Sequence, residues 1–144
     1  MNLEQIQELW VVDSKIDIDN LHDESIKVPQ LHQKYYSIYA NIKLLKTKCN
    51  ELYSKTKLER YNYYSGKAPA EMYVEEPFPY KVRDKESMNL HLNADEKLNK
   101  LKLKLDYYDV MISFLEDILK MIHTRGFQVK NSIDFLKFQS GMGF

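Results

Sequence analysis

Residues 31 to 64 read LHQKYYSIYANIKLLKTKCNELYSKTKLERYNYY. Within them Leu31, Tyr35, Ile38, Ile42, Leu45, Cys49, Leu52 and Thr56 recur at alternating spacings of four and three, and the alternation continues to Glu59 and Tyr63. Apolar residues so spaced form one stripe along a helix, the seam of a coiled coil or of a long bundle helix. Gly66 is a stop signal for that helix. Pro29 fits its first turn, where a missing N–H costs little, or marks a kink after a short helix starting near Asn20.

Downstream, Leu98, Leu101, Leu105, Tyr108, Ile112, Leu115, Leu119 and Ile122 repeat the same spacing. Asn93-Ala94-Asp95-Glu96 opens this second helix as a capping box, the Asn side chain accepting from a free N–H and Glu96 reaching back. Gly126 should end it, just after His123 and Arg125, whose charges suit a helix C-terminus. Phe127, Val129, Ile133, Leu136 and Phe138 then offer a short terminal helix, followed by a frayed tail from Ser140 to Phe144. Between the long helices, residues 66–93 are rich in Pro and mixed charge and show only brief alternation, at Met72-Tyr73-Val74 and from Met88 to Leu92. They read as a long, partly extended connector, a length of loop that is unusual in a small domain and tends to be functional.

The expected fold is therefore all-α, in one helical domain over 1–144: an acidic helical segment at 1–27, a long basic helix at 28–65, the connector at 66–93, a long helix at 94–125 and a C-terminal assembly helix at 127–139. The two seams can pair as an antiparallel hairpin, each buried Leu or Ile contributing about 1.5 to 3 kcal/mol. Tyr36, Tyr39, Tyr53, Tyr107, Met111 and Phe114 lie beyond the seams, and a two-helix hairpin has too little interior to cover them. Protomers should pack against one another through the C-terminal helix residues Phe127, Val129, Ile133, Leu136 and Phe138. The alternative is a monomeric bundle in which a helix around Leu3, Ile6, Leu9 and Trp10, with the terminal helix, covers them.

The chain has 144 residues, one Cys, four Gly, four Pro and a formal net charge of zero. Zero net charge excludes attachment to DNA or acidic membrane by bulk charge, but the charge is unevenly placed. Lys15 is alone among Glu4, Glu8, Asp13, Asp17, Asp19, Asp23 and Glu24, whereas Lys43, Lys46, Lys48, Lys55, Lys57, Arg60 and Lys67 face Glu51 and Glu59. The lone Cys49 excludes an internal disulfide or a cysteine-based metal site, and no apolar run approaches a membrane span. No signal peptide is visible at the start, so a cytoplasmic setting is expected. No phosphate loop, paired-His motif or nucleophile elbow occurs. His22, His32, His91 and His123 suit no ligand set, and Asp95-Glu96 and Glu116-Asp117 suit caps and solvated faces. Neither enzyme activity nor a cofactor or metal is expected.

From Lys55 to Lys67, cations able to neutralise phosphates alternate with tyrosines able to stack on unpaired bases, and the Ser65-Gly66 turn offers backbone N–H groups to a phosphate. Lys55, Lys57, Arg60, Tyr61, Tyr64, Ser65, Gly66 and Lys67 are the candidate DNA-binding residues. The competing reading is a structural coiled-coil adaptor whose basic segment is a solvated helix face.

Arg60-Tyr61-Asn62-Tyr63-Tyr64-Ser65-Gly66-Lys67 resembles the Arg-x-x-Tyr-Tyr-Ser-Gly-basic signature of the UvsY recombination mediators of T-even-type phages. Ala94-Asp95 and Thr124-Arg125-Gly126-Phe127-Gln128-Val129-Lys130 resemble that family's capped long helix and its Arg-Gly-Phe turn, and the Leu3-Glu4 start also agrees. The family carries a Lys two positions before the Arg, where this chain has Leu58, with Lys57 one residue earlier; the connector here is richer in Pro. The resemblance implies an all-helical protomer in a ring-like, heptameric homo-oligomer, with C-terminal subunit contacts, in the cytoplasm of an infected host. It also implies partners: single-stranded DNA, a RecA-like phage recombinase and the phage single-stranded-DNA-binding protein, with no membrane. Such a mediator loads recombinase without turnover chemistry. If Lys55, Lys57, Arg60 and Lys67 each neutralise one phosphate, single-strand affinity falls with salt at a slope of about −2.8 per protomer, roughly 50-fold between 50 and 200 mM.

Overall fold

The computed structural model describes residues 1–141. Its elements are α1 (Leu3–Asp13), α2 (Leu21–Tyr64), α3 (Ala70–Glu75), α4 (Lys85–Asn93) and α5 (Glu96–Gln139), and no strand occurs among the described residues. None of the described helices is long and apolar enough to cross a membrane. The chain packs as two compact units, Met1–Lys43 with Val110–Phe144, and Leu44–Asp109. Residues 142–144 of the expected tail lie outside the described residues.

In the first unit, α1 opens on a capping box. Asn2 Oδ1 accepts from the Gln5 N–H at 2.8 Å and Gln5 Oε1 accepts from the Asn2 N–H at 2.9 Å, which satisfies two otherwise orphaned donors. Ile6 is fully buried, and Trp10 meets Tyr35 of α2 edge-on with ring centroids 5.4 Å apart. Asp13 closes the helix by accepting from Tyr35 Oη at 2.7 Å and pairing with Lys34 at 2.6 Å. Burial pushes the Asp13 carboxyl up, but those two bonds outweigh it and hold the group below its ordinary value. Burial, with Asp13 as its partner, pushes the Tyr35 hydroxyl well above the usual phenol range.

Two boundaries differ from the sequence expectation. Helix α2 starts at Leu21 and runs unbroken through Pro29. The carbonyl of Ser25 loses its usual partner there, but the preceding turn is anchored by buried Leu21 and Glu24. Helix α5 likewise passes through Gly126 to Gln139, so no separate terminal helix exists. Its buried face runs Met111, Leu115, Ile118, Ile122, Arg125 and Val129, and the repeat crosses Gly126 without a change of phase. A glycine inside a helix costs about 1 kcal/mol relative to alanine, less than one buried aliphatic side chain supplies. Arg125 therefore sits inside the helix and not at its end: its guanidinium donates to Glu24 at 2.8 Å and to the carbonyls of Ser14 and Lys15 at 3.3 and 2.8 Å. Desolvation opposes ionisation of Glu24, but the bond from Arg125 outweighs it and lowers that carboxyl's pKa.

In the second unit, the end of α2 and the start of α5 run antiparallel: Lys46 pairs with Asp109, Cys49 lies against Leu101, and Arg60 reaches Asp95. The inward face of α2 here carries buried Cys49, Arg60 and Tyr63 with half-buried Tyr53 and Thr56 between them, while Leu45 and Leu52, both expected in the seam, are exposed. The connector is the largest departure. It carries α3 and α4 and is extended chiefly between them, and it packs onto the end of α2. Tyr63, Tyr64, Val82, Met88, Leu92 and Leu98 form one core, with Met72, Tyr73 and Phe78 against it. Phe78, held between Pro77 and Pro79, lies 5.5 Å from the Tyr63 ring and 5.3 Å from that of Tyr64, and the Val82 N–H donates to the Tyr64 carbonyl at 2.9 Å. Asp84 caps α4 through the Ser87 N–H at 2.9 Å. Met88 and Leu92, four apart, are buried while Leu90 is exposed, so the short alternation was a helical period seen over too few residues.

Candidate nucleic-acid interface

The motif from Arg60 to Lys67 ends α2, and the structure splits its residues into two groups. Arg60, 3% exposed, faces inward. Its Nε donates to Asp95 Oδ2 at 2.6 Å and its two Nη atoms to the Glu76 carboxylate, each at 3.1 Å. The guanidinium carbon lies 4.2 Å from the Tyr63 ring centroid and 5.2 Å from that of Tyr64. Tyr64 Oη donates to Asp95 Oδ2 at 2.6 Å. Tyr63 Oη donates to the Glu76 carbonyl at 2.7 Å, and Tyr73 Oη to the Tyr63 carbonyl at 2.8 Å. A planar, always charged guanidinium suits this place, because it meets carboxylates through a rigid fork while its faces pack on rings.

Asp95 is also the N-cap of α5, its Oδ1 accepting the Leu98 N–H at 3.0 Å, whereas Asn93, expected in that role, ends α4. Burial would raise the Asp95 carboxyl, but the bonds from Tyr64, the Leu98 amide and Arg60 prevail and hold it below the ordinary carboxylate value. Desolvation disfavours the charged form of Arg60, yet Glu76, Tyr64 and Asp95 push its pKa still higher than usual.

The turn after α2 is committed as well. Lys67 N–H donates to the Asn62 carbonyl at 2.8 Å and Gly66 N–H to the Tyr63 carbonyl at 3.3 Å, the paired bonds of a Schellman cap. Gly66 holds φ +82°, a left-handed conformation that favours glycine. Ser65 donates its N–H to the Tyr61 carbonyl at 3.0 Å and its hydroxyl to the Asn62 carbonyl at 3.2 Å. Three expectations are corrected: the Arg60 cation, the buried Tyr64 ring and the N–H groups of the Ser65-Gly66 turn are spent inside the fold and face no solvent phosphate or base.

The second group remains outside. Lys55, Lys57 and Lys67 are exposed, and Tyr61 is 45% exposed. Lys55 meets Glu51 at 3.2 Å in a solvated pair, the kind that contributes roughly 0 to 1 kcal/mol and yields readily to another anion. Among the described residues no carboxylate pairs with Lys57 or Lys67, and the same holds for Arg83 and Lys85 of the connector, which the sequence reading missed. Their signal was present: in Lys81-Val82-Arg83-Asp84-Lys85 a buried apolar residue and a capping acid separate three exposed cations.

Of the residues expected at a subunit contact, Phe127 (66%), Leu136 (44%) and Phe138 (70%) are exposed and Ile133 is half-buried, but Val129 is 2% exposed and belongs to the protomer's own core. Of the outer set, Met111 is buried, Tyr39, Tyr53 and Phe114 are half-buried, and Tyr36 and Tyr107 are exposed. No cluster of His, Cys, Asp or Glu able to hold a metal ion occurs among the described residues.

Fold and site together define an all-helical protein in which a buried arginine closes the end of a long helix and exposed lysines and a tyrosine surround it. The chain belongs to the UvsY family: the family described as "Recombination, repair and ssDNA binding protein UvsY" matches residues 9–142. The recombination protein uvsY of Enterobacteria phage T4 is 28% identical over 142 residues, covering 98% of this chain and 99% of that one. Crystal structures of the bacteriophage T4 recombination mediator protein UvsY superpose with a TM-score of 0.82 in two lattices. One, of lattice type II, is 25% identical and covers 97% of this chain and 98% of its own. The other, of lattice type IV, is 25% identical and covers 96% and 99%.

Proposed function

We propose that this protein is a recombination mediator that binds single-stranded DNA along the exposed end of α2 and helps load a RecA-like recombinase onto strands covered by phage single-stranded-DNA-binding protein. The observation that carries this reading is the set of side chains left outside: Lys55, Lys57 and Lys67 beside exposed Tyr61, in a chain that matches the family over nearly its whole length. Cations track a phosphate backbone and an aromatic ring stacks on an unpaired base, which duplex DNA does not offer. Lys57, one residue before the position where the family carries its lysine, supplies a phosphate contact in this reading.

A neutral protomer gains avidity by repetition, and we infer a ring-like homo-oligomer, a heptamer, assembled through Phe127, Ile133, Leu136 and Phe138. The mediator acts in the infected host cytoplasm, in phage recombination, repair and recombination-dependent replication, with no turnover chemistry or cofactor of its own. Exposed Leu44, Leu45, Leu52 and Leu58 favour the second reading, a coiled-coil adaptor without specific DNA binding.

With Arg60 withdrawn, the three exposed lysines give a salt slope of about −2.1 per protomer, or roughly an 18-fold loss of affinity between 50 and 200 mM salt. The test is the triple substitution Lys55→Ala, Lys57→Ala, Lys67→Ala, which should flatten that slope by about this amount and leave helicity intact. An unchanged slope in a folded triple variant would move the adaptor reading ahead.

A further inference from the structure

Beside the end of α2 lies a groove of about 460 Å³ that the motif does not describe. Lys57 and Tyr61 form its α2 wall, Arg83 and Lys85 the opposite wall, and Met88 and Leu92 of α4 its apolar floor, with Asn89 at the side. The volume falls in the range of about 300 to 1,000 Å³ that takes small organic ligands. Three cations without a carboxylate partner face one acid, Asp84, whose charge is already turned to the Ser87 N–H.

The geometry points to a nucleotide-binding groove in which one unpaired base of a single DNA strand stacks on Tyr61 over Met88 and Leu92, while its flanking phosphates lie on Lys57 and on Arg83 and Lys85. This rests on the strand-binding reading above and adds to it a second, connector-borne wall and a place for the base. Phosphate contacts alone would need only a basic ridge. An apolar floor between two cationic walls, with a tyrosine exposed and an amide side chain at the edge, matches the layered chemistry of a nucleotide: ring, then charge on either side. Stacking suits any base, so the groove selects strandedness and not sequence. The site also accounts for the connector's build, since Pro77 and Pro79 hold it extended and the Val82 N–H bond to the Tyr64 carbonyl fixes the segment that presents Arg83.

The test uses the full-length protein with a fluorescent oligothymidylate, an abasic oligonucleotide of equal length and free deoxythymidine monophosphate as competitor. Tyr61→Ala should weaken oligothymidylate binding about fivefold or more and leave abasic binding unchanged, while Tyr61→Phe keeps the preference. The double substitution Arg83→Ala, Lys85→Ala, at exposed positions that leave the core intact, should reduce the salt slope by about 1.4 per protomer. Wild-type protein that binds the strand while Tyr61→Ala and the Arg83→Ala, Lys85→Ala double variant bind like it overturns the groove and leaves the strand-binding reading standing. Failure of wild-type protein to bind the strand overturns both. Displacement of the strand by equimolar monophosphate would make this a free-nucleotide site and equally overturn the proposal.

Discussion

Replacing Asp95 by Ala removes a charged partner 2.6 Å from Arg60 Nε, the acceptor 2.6 Å from the Tyr64 hydroxyl, and the cap on the Leu98 N–H at 3.0 Å. Loss of an N-cap costs about 1 kcal/mol. Removing one partner of a buried ion pair costs roughly 3 to 5 kcal/mol, because the remaining charge stays desolvated. The lower end applies here, since Glu76, 49% exposed, still holds both Nη atoms at 3.1 Å. The expected total is about 4 kcal/mol, a large share of the roughly 5 to 15 kcal/mol that holds a domain folded. Asp95→Asn keeps one oxygen that can still cap the Leu98 N–H but sets an NH2 donor where Oδ2 accepts from Tyr64 and Arg60, so it should recover only the cap, about 1 kcal/mol. Urea unfolding followed by far-ultraviolet circular dichroism measures both, and Arg60→Met in the Asp95→Ala background should cost less than the sum of the two single changes. A loss below about 1 kcal/mol for Asp95→Ala would refute the buried pair and return Arg60 to the surface as a phosphate ligand.

Gly126 lies within α5 with nothing inside 4 Å of the position of an added Cβ, so Gly126→Ala should stabilise by about 0.5 to 1 kcal/mol; destabilisation in a thermal melt would mean that the helix ends there. Asp13, Glu24 and Asp95 are all held below their ordinary values. Their contribution is complete above the unfolded values and is lost as pH falls from there through the lower folded-state values, so stability should be flat near neutrality and decline below about pH 5. A urea midpoint unchanged from about pH 6 to about pH 3 would contradict those three pairings. Phe127→Asp with Leu136→Asp, both exposed on α5, should give smaller particles in sedimentation with unchanged helicity, and particles of wild-type size would remove that surface from the assembly.

The helical class and both long helices are legible because their seams repeat over many turns. The ends are not, since local signals lose to packing: Gly126 reads as a stop, yet Arg125 and Val129 on either side are buried and hold the helix in phase. Short α3 and α4 escape because six and nine residues hold too little of a period to separate helix from alternation. The motif identifies the family for a reason different from the one its chemistry suggests. Arg60, Tyr63, Tyr64, Gly66 and Asp95 are fixed by an internal ion pair, ring packing and a left-handed turn, and a charge buried against a residue 35 positions away cannot be told from a solvated one by spacing alone. Arg125, bonded to Glu24 across 101 positions, misled in the same way. Lys55, Lys57, Tyr61 and Lys67 lie within the same stretch and stay on the surface, whereas Arg60, Tyr64, Ser65 and Gly66 are spent inside the fold, a division that spacing along one helix cannot show.

The most direct measurement is binding of the purified protein to a fluorescent single-stranded oligonucleotide and to its duplex counterpart across a salt series. Preference for the single strand, weakening at least roughly 18-fold per protomer between 50 and 200 mM salt, is the result expected of three exposed lysines and a stacking tyrosine, with Arg83 and Lys85 steepening it further. Equal affinity for duplex, or no binding to the strand at low salt, would contradict a single-strand-binding mediator.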